Sequence, residues 1–307
     1  MNIAVIGVGG VGGYFGGKLA QIMSENSKFN LYFIARNEHL ESIRKNGLLL
    51  KTASEGEIIC RPTMATDDFN LLPNLDICLI CVKAYDLEDV LERIKYKVQA
   101  HTFIIPLLNG VDIYERIRKI IKQGIVYPSC VYVGTHIEKP GVVVQNGGSC
   151  TIIFGEDPLH KHSIPSYLLE LFKEANIKYN WCKTHIEEIW TKYMFIAAYG
   201  LVTASEEKTL GEVYEDQGLS QKVIAIMNEI NQIAGAKGII LSENIVEASY
   251  EKARNFPYEA KTSFQRDYEK KIGKDERGVF GKAILDMGKQ YNIDTPYLED
   301  AYNKLSL

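Results

Sequence analysis

The sequence predicts an α/β protein, with a doubly wound parallel sheet in its N-terminal part and an all-helical domain after it. Three observations lead there. The chain opens on an apolar, β-branched run, Asn2-Ile3-Ala4-Val5-Ile6, which passes through Gly7-Val8-Gly9-Gly10-Val11-Gly12 into a helical stretch, Tyr14–Ile22. Short apolar runs then alternate with helix-like segments, the pattern of a parallel sheet wound on both faces. From about His185 onward only helical patterns follow.

The opening is strand, glycine turn and helix, the order of a Rossmann-type dinucleotide site. Gly7 suits the tight turn, Gly9 lets backbone approach a pyrophosphate, and Gly12 lets the helix pack closely on its strand. With Val8, Gly10 and Val11 they form the expected cofactor loop, at a helix N-terminus whose N–H groups and dipole favour phosphate. The plainer alternative is a glycine-rich turn with no ligand. Leu31-Tyr32-Phe33-Ile34-Ala35 reads as the second strand, and it ends at Arg36 with no acid before Glu38. A carboxylate there would hold a ribose 2′-hydroxyl, whereas an arginine can fork onto a 2′-phosphate. NADPH/NADP is therefore the expected cofactor, against the alternative of an ordinary solvated arginine.

The remaining elements follow in order. Asn37–Asn46 reads as a short helix, and Gly47–Cys60 as a strand pair around Ser54-Glu55-Gly56. Ile77–Val82 is a core strand, followed by Lys83-Ala84-Tyr85-Asp86 and a helix from Leu87 to about Val98. Phe103–Leu108 is another strand, in which Pro106 suggests an irregular or edge position. A helix over Ile113–Lys122 leads to a strand over Ile125–Val133. Gly141–Val144 and Cys150–Phe154 look like an antiparallel edge addition. Helical stretches then cover Glu187–Ser205, Gln221–Lys237, Glu243–Asn255, Phe264–Lys271, Val279–Tyr291 and Pro296–Leu305. Two domains are expected, residues 1–182 for the cofactor and 183–307 for the substrate.

The whole chain sets further bounds. At 307 residues it is long enough for two domains, and 46% hydrophobic with 24% charged residues is the balance of an ordinary globular protein. A net charge of −4 leaves no basic footprint for nucleic acid or a membrane surface. The N-terminal stretch lacks a basic n-region and cleavage site, and no apolar run approaches bilayer length, so a cytoplasmic protein is expected. Cys78-Leu79-Ile80-Cys81 is formally CxxC, but within a strand residues three apart point to opposite faces, so two buried apolar cysteines are expected. No His/Cys cluster has zinc spacing, and no metal is expected. A small-molecule substrate is the expected partner, with a homodimer left open.

Chemistry concentrates at a few positions. Arg36, Lys83 and Asn109 each follow an apolar run, and ligands in open parallel sheets bind at those carboxyl ends. Trp190–Ala204 carries one formal charge, Lys192, in a stretch apolar all round. A buried ammonium is expensive unless it has a partner or a function. Beside a nicotinamide it could protonate a carbonyl oxygen receiving hydride. Snorkelling to a helix end is the alternative.

Together the opening Asn2–Gly12 pattern, Arg36, Val82-Lys83-Ala84-Tyr85, Leu108-Asn109-Gly110 and Trp190-Thr191-Lys192 resemble the 2-dehydropantoate 2-reductase (ketopantoate reductase) family. So do Thr262-Ser263-Phe264-Gln265-Arg266-Asp267 and Ile293-Asp294-Thr295-Pro296, with Asn292 where the family usually has glycine. The resemblance implies reduction of 2-dehydropantoate by NADPH to (R)-pantoate, a step in pantothenate biosynthesis. It implies Gly7–Gly12 at the pyrophosphate, Arg36 and Lys83 at the adenosine end, and Asn109 on the nicotinamide side. It further implies Lys192 as catalytic acid and Ser263 at the substrate. The family's cofactor-contacting acid falls on Asp275, with Glu276 as a one-residue slip.

The chain departs from the family at Ile196 and Gly200, where asparagines usually stand, and at Arg277, where a second acid is usual. Isoleucine cannot hydrogen-bond a substrate hydroxyl or carboxylate. A reductase of a different small 2-oxo acid is thus one alternative. A non-catalytic NADPH-binding redox sensor and a 6-phosphogluconate-like or 3-hydroxyacid dehydrogenase are others.

Overall fold

A computed structural model describes residues 1–23, 29–271 and 273–305. These divide into two compact units, one of residues 1–108 and 113–185, the other of residues 109–112 and 186–307.

The first unit contains two sheets. β1 (Asn2–Ile6), β2 (Asn30–Ile34), β5 (Met64–Thr66), β6 (Leu75–Ile80), β7 (Val98–Pro106) and β8 (Ile125–Val126) form one, in the order β5-β2-β1-β6-β7-β8. Every pairing in it is parallel. Ile3, Ala4, Val5, Ile6, Leu79 and Ile80 are wholly buried, as expected for strands covered on both faces. The second sheet has β3 (Leu48–Thr52), β4 (Gly56–Cys60), β9 (Ser129–Lys139), β10 (Val142–Phe154) and β11 (Lys178–Trp181). The helices of this unit are α1 (Gly10–Gln21), α2 (Asn37–Asn46), α3 (Leu87–Ile94), α4 (Ile113–Ile120) and α5 (Ser166–Glu174).

Helix α1 is squeezed between the sheets, which accounts for its glycines. A Cβ on Gly16 would meet Phe33 of the first sheet at 2.9 Å, and one on Gly13 would meet Val143 of the second at 2.6 Å. Its one charge, Lys18, is 2% exposed and pairs at 2.5 Å with Glu55 in the β3–β4 turn.

Four local expectations change. Pro106 is not at a sheet edge: β7 lies between β6 and β8, with Pro106 as its last residue and paired with Ile80. β8 pairs only with Phe103 and Ile104, so the missing proline N–H falls beyond that ladder. The helix from Leu87 stops at Ile94, because Val98 already pairs with Leu75. Ile125–Val133 is two strands in two sheets, parted at Tyr127-Pro128. Gly141–Val144 and Cys150–Phe154 belong to the single strand β10, which pairs parallel with β3 and β11 and antiparallel with β9.

The second unit is helical: α6 (His185–Ser205), α7 (Leu210–Glu215), α8 (Gln217–Ala236), α9 (Ile245–Glu251), α10 (Ser263–Glu269), α11 (Ala283–Tyr291) and α12 (Pro296–Lys304). Trp190, Tyr193, Met194, Ala197, Ala198, Leu201 and Val202 bury α6 in its core. A π-helical turn, Gly278–Lys282, leads into α11. The buried Tyr193 hydroxyl donates to Val279 O at 2.6 Å and to Phe280 O at 3.3 Å, satisfying carbonyls in that turn.

Candidate active site

In the first unit the loops after β1, β2 and β6 leave the same edge of the sheet, and β1 lies between β2 and β6. The glycine loop follows β1, Arg36 follows β2 and Lys83 follows β6. Gly7 has φ +90, and its N–H, like that of Val8, donates to Ile34 O at 3.0 Å. A Cβ on Gly12 would stand 2.3 Å from Gly7 O, so only glycine lets α1 start this close to β1. Gly9 is different: a Cβ there meets nothing within 4 Å. As N-cap of the 12-residue α1 it provides no side chain for the N–H groups of the first turn. Backbone donors, a dipole end and open space at Gly9 fit a pyrophosphate.

Arg36 precedes α2 and is 69% exposed, and its Nη2 donates to Asp86 Oδ2 at 2.7 Å. Asp86 was absent from the candidates because one loop acid looks like any other in sequence. Lys83 immediately precedes the 3₁₀ turn Ala84–Asp86 and is half-buried. Of the two cysteines expected to be buried, Cys78 is, and burial pushes its thiol up to about 12, whereas Cys81 lies just past β6 and is half-buried, its thiol also raised.

The second unit gathers a different set. Lys192 is half-buried on α6, and its Nζ donates to Asn109 Oδ1 at 2.8 Å. An ammonium can only donate, so the oxygen end of the Asn109 amide must face it. Gly110 beside it has φ +130, a backbone reserved for glycine. Lys192 thus bonds within its own unit instead of snorkelling to a helix end.

The neighbouring positions of α6 on that face are Phe195 and Ile196, both half-buried, and then Gly200. A Cβ on Gly200 would lie 3.5 Å from Phe264 Cδ1, so the Phe264 ring covers that spot. Ser263 is exposed at the first position of α10, after Thr262, whose Oγ1 accepts from Gln265 N at 3.1 Å. Gln265 is wholly buried, and its Oε1 has no hydrogen-bond partner among the described residues.

Asp275 and Glu276 differ sharply. Asp275 Oδ1 accepts from Arg277 N at 2.9 Å and Arg277 Nε at 3.0 Å, capping its own turn. Glu276 is 4% exposed, and its carbonyl accepts from Val279 and Phe280 N–H as the π-helical turn begins. Among the described residues no group of three or more His, Cys, Asp or Glu could hold a metal ion, and no helix is long and apolar enough to cross a membrane.

Comparison with known proteins covers nearly the whole chain. The family profile described as ketopantoate reductase PanE/ApbA matches residues 3–158. The one described as ketopantoate reductase PanE/ApbA C terminal matches residues 184–307. The uncharacterized oxidoreductase YkpB of Bacillus subtilis is 25% identical over 100% of this chain and 98% of its own. The 2-dehydropantoate 2-reductase of Aquifex aeolicus is 25% identical over 96% of this chain and 93% of its own. The crystal structure of a PanE/ApbA family ketopantoate reductase from Ralstonia eutropha superposes with a TM-score of 0.88 at 23% identity, covering 100% of this chain and 97% of that one.

Proposed function

Because the chain belongs to the ketopantoate reductase family, we propose that it reduces the ketone of a 2-oxo acid with NADPH. Membership makes it an oxidoreductase acting on a ketone/CH–OH pair with a nicotinamide cofactor. Reduction of 2-dehydropantoate to (R)-pantoate, in pantothenate biosynthesis, is the first candidate among its substrates.

When bound, the reduced nicotinamide supplies a hydride to the oxo carbon. Lys192 holds the oxo oxygen by a hydrogen bond and gives it a proton as that oxygen takes the carbonyl electron pair. Asn109 fixes Lys192 through the 2.8 Å bond and acts as a positioning residue on the nicotinamide side. Gly7–Gly12 bind the pyrophosphate, and Arg36 and Lys83 bind the adenosine end. Arg36, 69% exposed, would turn from Asp86, 15% exposed, to fork onto a 2′-phosphate. Ser263 contacts substrate. Of the two acids, Asp275 is bonded to Arg277 and Glu276 is 4% exposed, and either would serve the cofactor.

One observation supports this reading: Lys192, half-buried and the one formal charge in residues 190–204 of α6, donates to the Asn109 amide oxygen within its own unit. The test is NADPH oxidation with 2-dehydropantoate, 2-oxoisovalerate, 2-oxobutyrate and pyruvate. Lys192→Ala should lower kcat by about 10²–10⁴-fold while NADPH binding persists. Full activity in that variant would remove Lys192 from the mechanism.

A further inference from the structure

Resting on that reading, we infer that the substrate is a 2-oxo acid whose substituent is branched and purely apolar, with Ile196 and the Phe264 ring over Gly200 setting the preference. The argument lies within the helical unit. A substrate whose oxo oxygen meets Lys192 Nζ has a polar end made by Lys192 and Asn109. Along α6 from there, positions three, four, seven and eight residues on share the lysine's side of the helix, at about 1.5 Å rise per residue. They are Phe195, Ile196, Tyr199 and Gly200, and the one polar side-chain atom among them, the Tyr199 hydroxyl, is taken up by donating to Tyr250 O at 3.0 Å.

Ile196 is half-buried, so part of its side chain remains reachable, and Phe195 stacks on Phe256 with ring centres 5.6 Å apart. Gly200 leaves room, and the Phe264 ring takes that room rather than a donor or acceptor. One turn beyond Tyr199, the Thr203 hydroxyl is wholly buried and engaged with Gly200 O at 3.3 Å and Thr262 Oγ1 at 3.2 Å. A hydroxyl on the substituent would give up water without a partner along this wall, whereas methyl groups would gain contact. Ser263 is the one exposed hydroxyl on the adjoining α10, and it makes the opposite outcome a real one.

Two substrates differing only in that hydroxyl decide the matter. 2-Dehydropantoate is 3,3-dimethyl-2-oxobutanoate with a hydroxyl on C4, so kcat/KM with NADPH is measured for each, with 4-methyl-2-oxopentanoate as a larger apolar acid. The expected result is that 3,3-dimethyl-2-oxobutanoate is favoured, by on the order of ten- to a hundredfold. Ile196→Asn, which brings an amide to the wall, should shrink that ratio at least about tenfold, chiefly by lowering KM for 2-dehydropantoate. Ile196→Val should keep the ratio and shows whether position 196 tolerates change. Equal or better use of 2-dehydropantoate by the unaltered protein overturns this inference and leaves the reductase reading standing. Lys192-dependent turnover confined to hydroxylated or charged 2-oxo acids overturns it too. No turnover of any 2-oxo acid by a protein that binds NADPH overturns both.

Discussion

Gly9 and Gly12 stand three residues apart in one loop, yet they are glycine for different reasons. A methyl group on Gly12 would strike Gly7 O at 2.3 Å, backbone against backbone, while one on Gly9 would enter open space. Gly12→Ala should therefore destabilise the protein by about 1–3 kcal/mol, as overpacking does. Gly9→Ala should leave stability within about 0.5 kcal/mol and still weaken NADPH binding. Urea unfolding and a cofactor titration on the two variants separate these effects. Equal stability loss at both positions would mean that the Gly9 space is not there for a ligand. Arg36 and Lys192 were legible in the sequence because each breaks an apolar run. The Asp86 partner of Arg36 and the capping role of Asp275 were not, because both depend on which backbone or side-chain donor lies nearest in three dimensions.

Among the elements, α12 shows how a helix can be capped from outside its own segment. Thr295 precedes it but makes no side-chain cap, and Pro296 supplies no N–H. Glu229, 6% exposed on α8, accepts instead from Tyr297 N at 2.8 Å and Leu298 N at 2.9 Å. Glu229→Ala should cost about 1–3 kcal/mol by stranding two donors, and Glu229→Gln less, since its amide oxygen still accepts. Denaturant midpoints that leave both variants unchanged would contradict this account. Where the local signal is strong, as in the apolar run of β1 and the turn residues of the β3–β4 pair, the elements can be read directly. β10 reads in the sequence as two pieces, Gly141–Val144 and Cys150–Phe154. The strand instead continues through register shifts, with Gly148 at φ +74 and Cys150 at φ +58. Such bulges are set by the partner strand, which the local sequence does not reveal. α7, opened by a Thr209–Glu212 capping box, carries a local start signal that its short apolar pattern does not reinforce.

At the scale of the whole molecule, the chain supplies two kinds of surface. The first unit has the parallel sheet, glycine loop and exposed Arg36 suited to a dinucleotide. The second has a lysine held by an asparagine, beside an apolar helix face. On the proposed reading the first would bring the reductant, and the lysine of the second would polarise and protonate the oxygen. The central claim is tested most directly with NADPH deuterated at the transferred position, incubated with the protein and a branched 2-oxo acid. Mass spectrometry should find one deuterium at C2 of the resulting 2-hydroxy acid, and Lys192→Ala should slow its appearance by about 10²–10⁴-fold while still binding cofactor. A protein that binds NADPH and delivers deuterium to none of the 2-oxo acids would contradict the account.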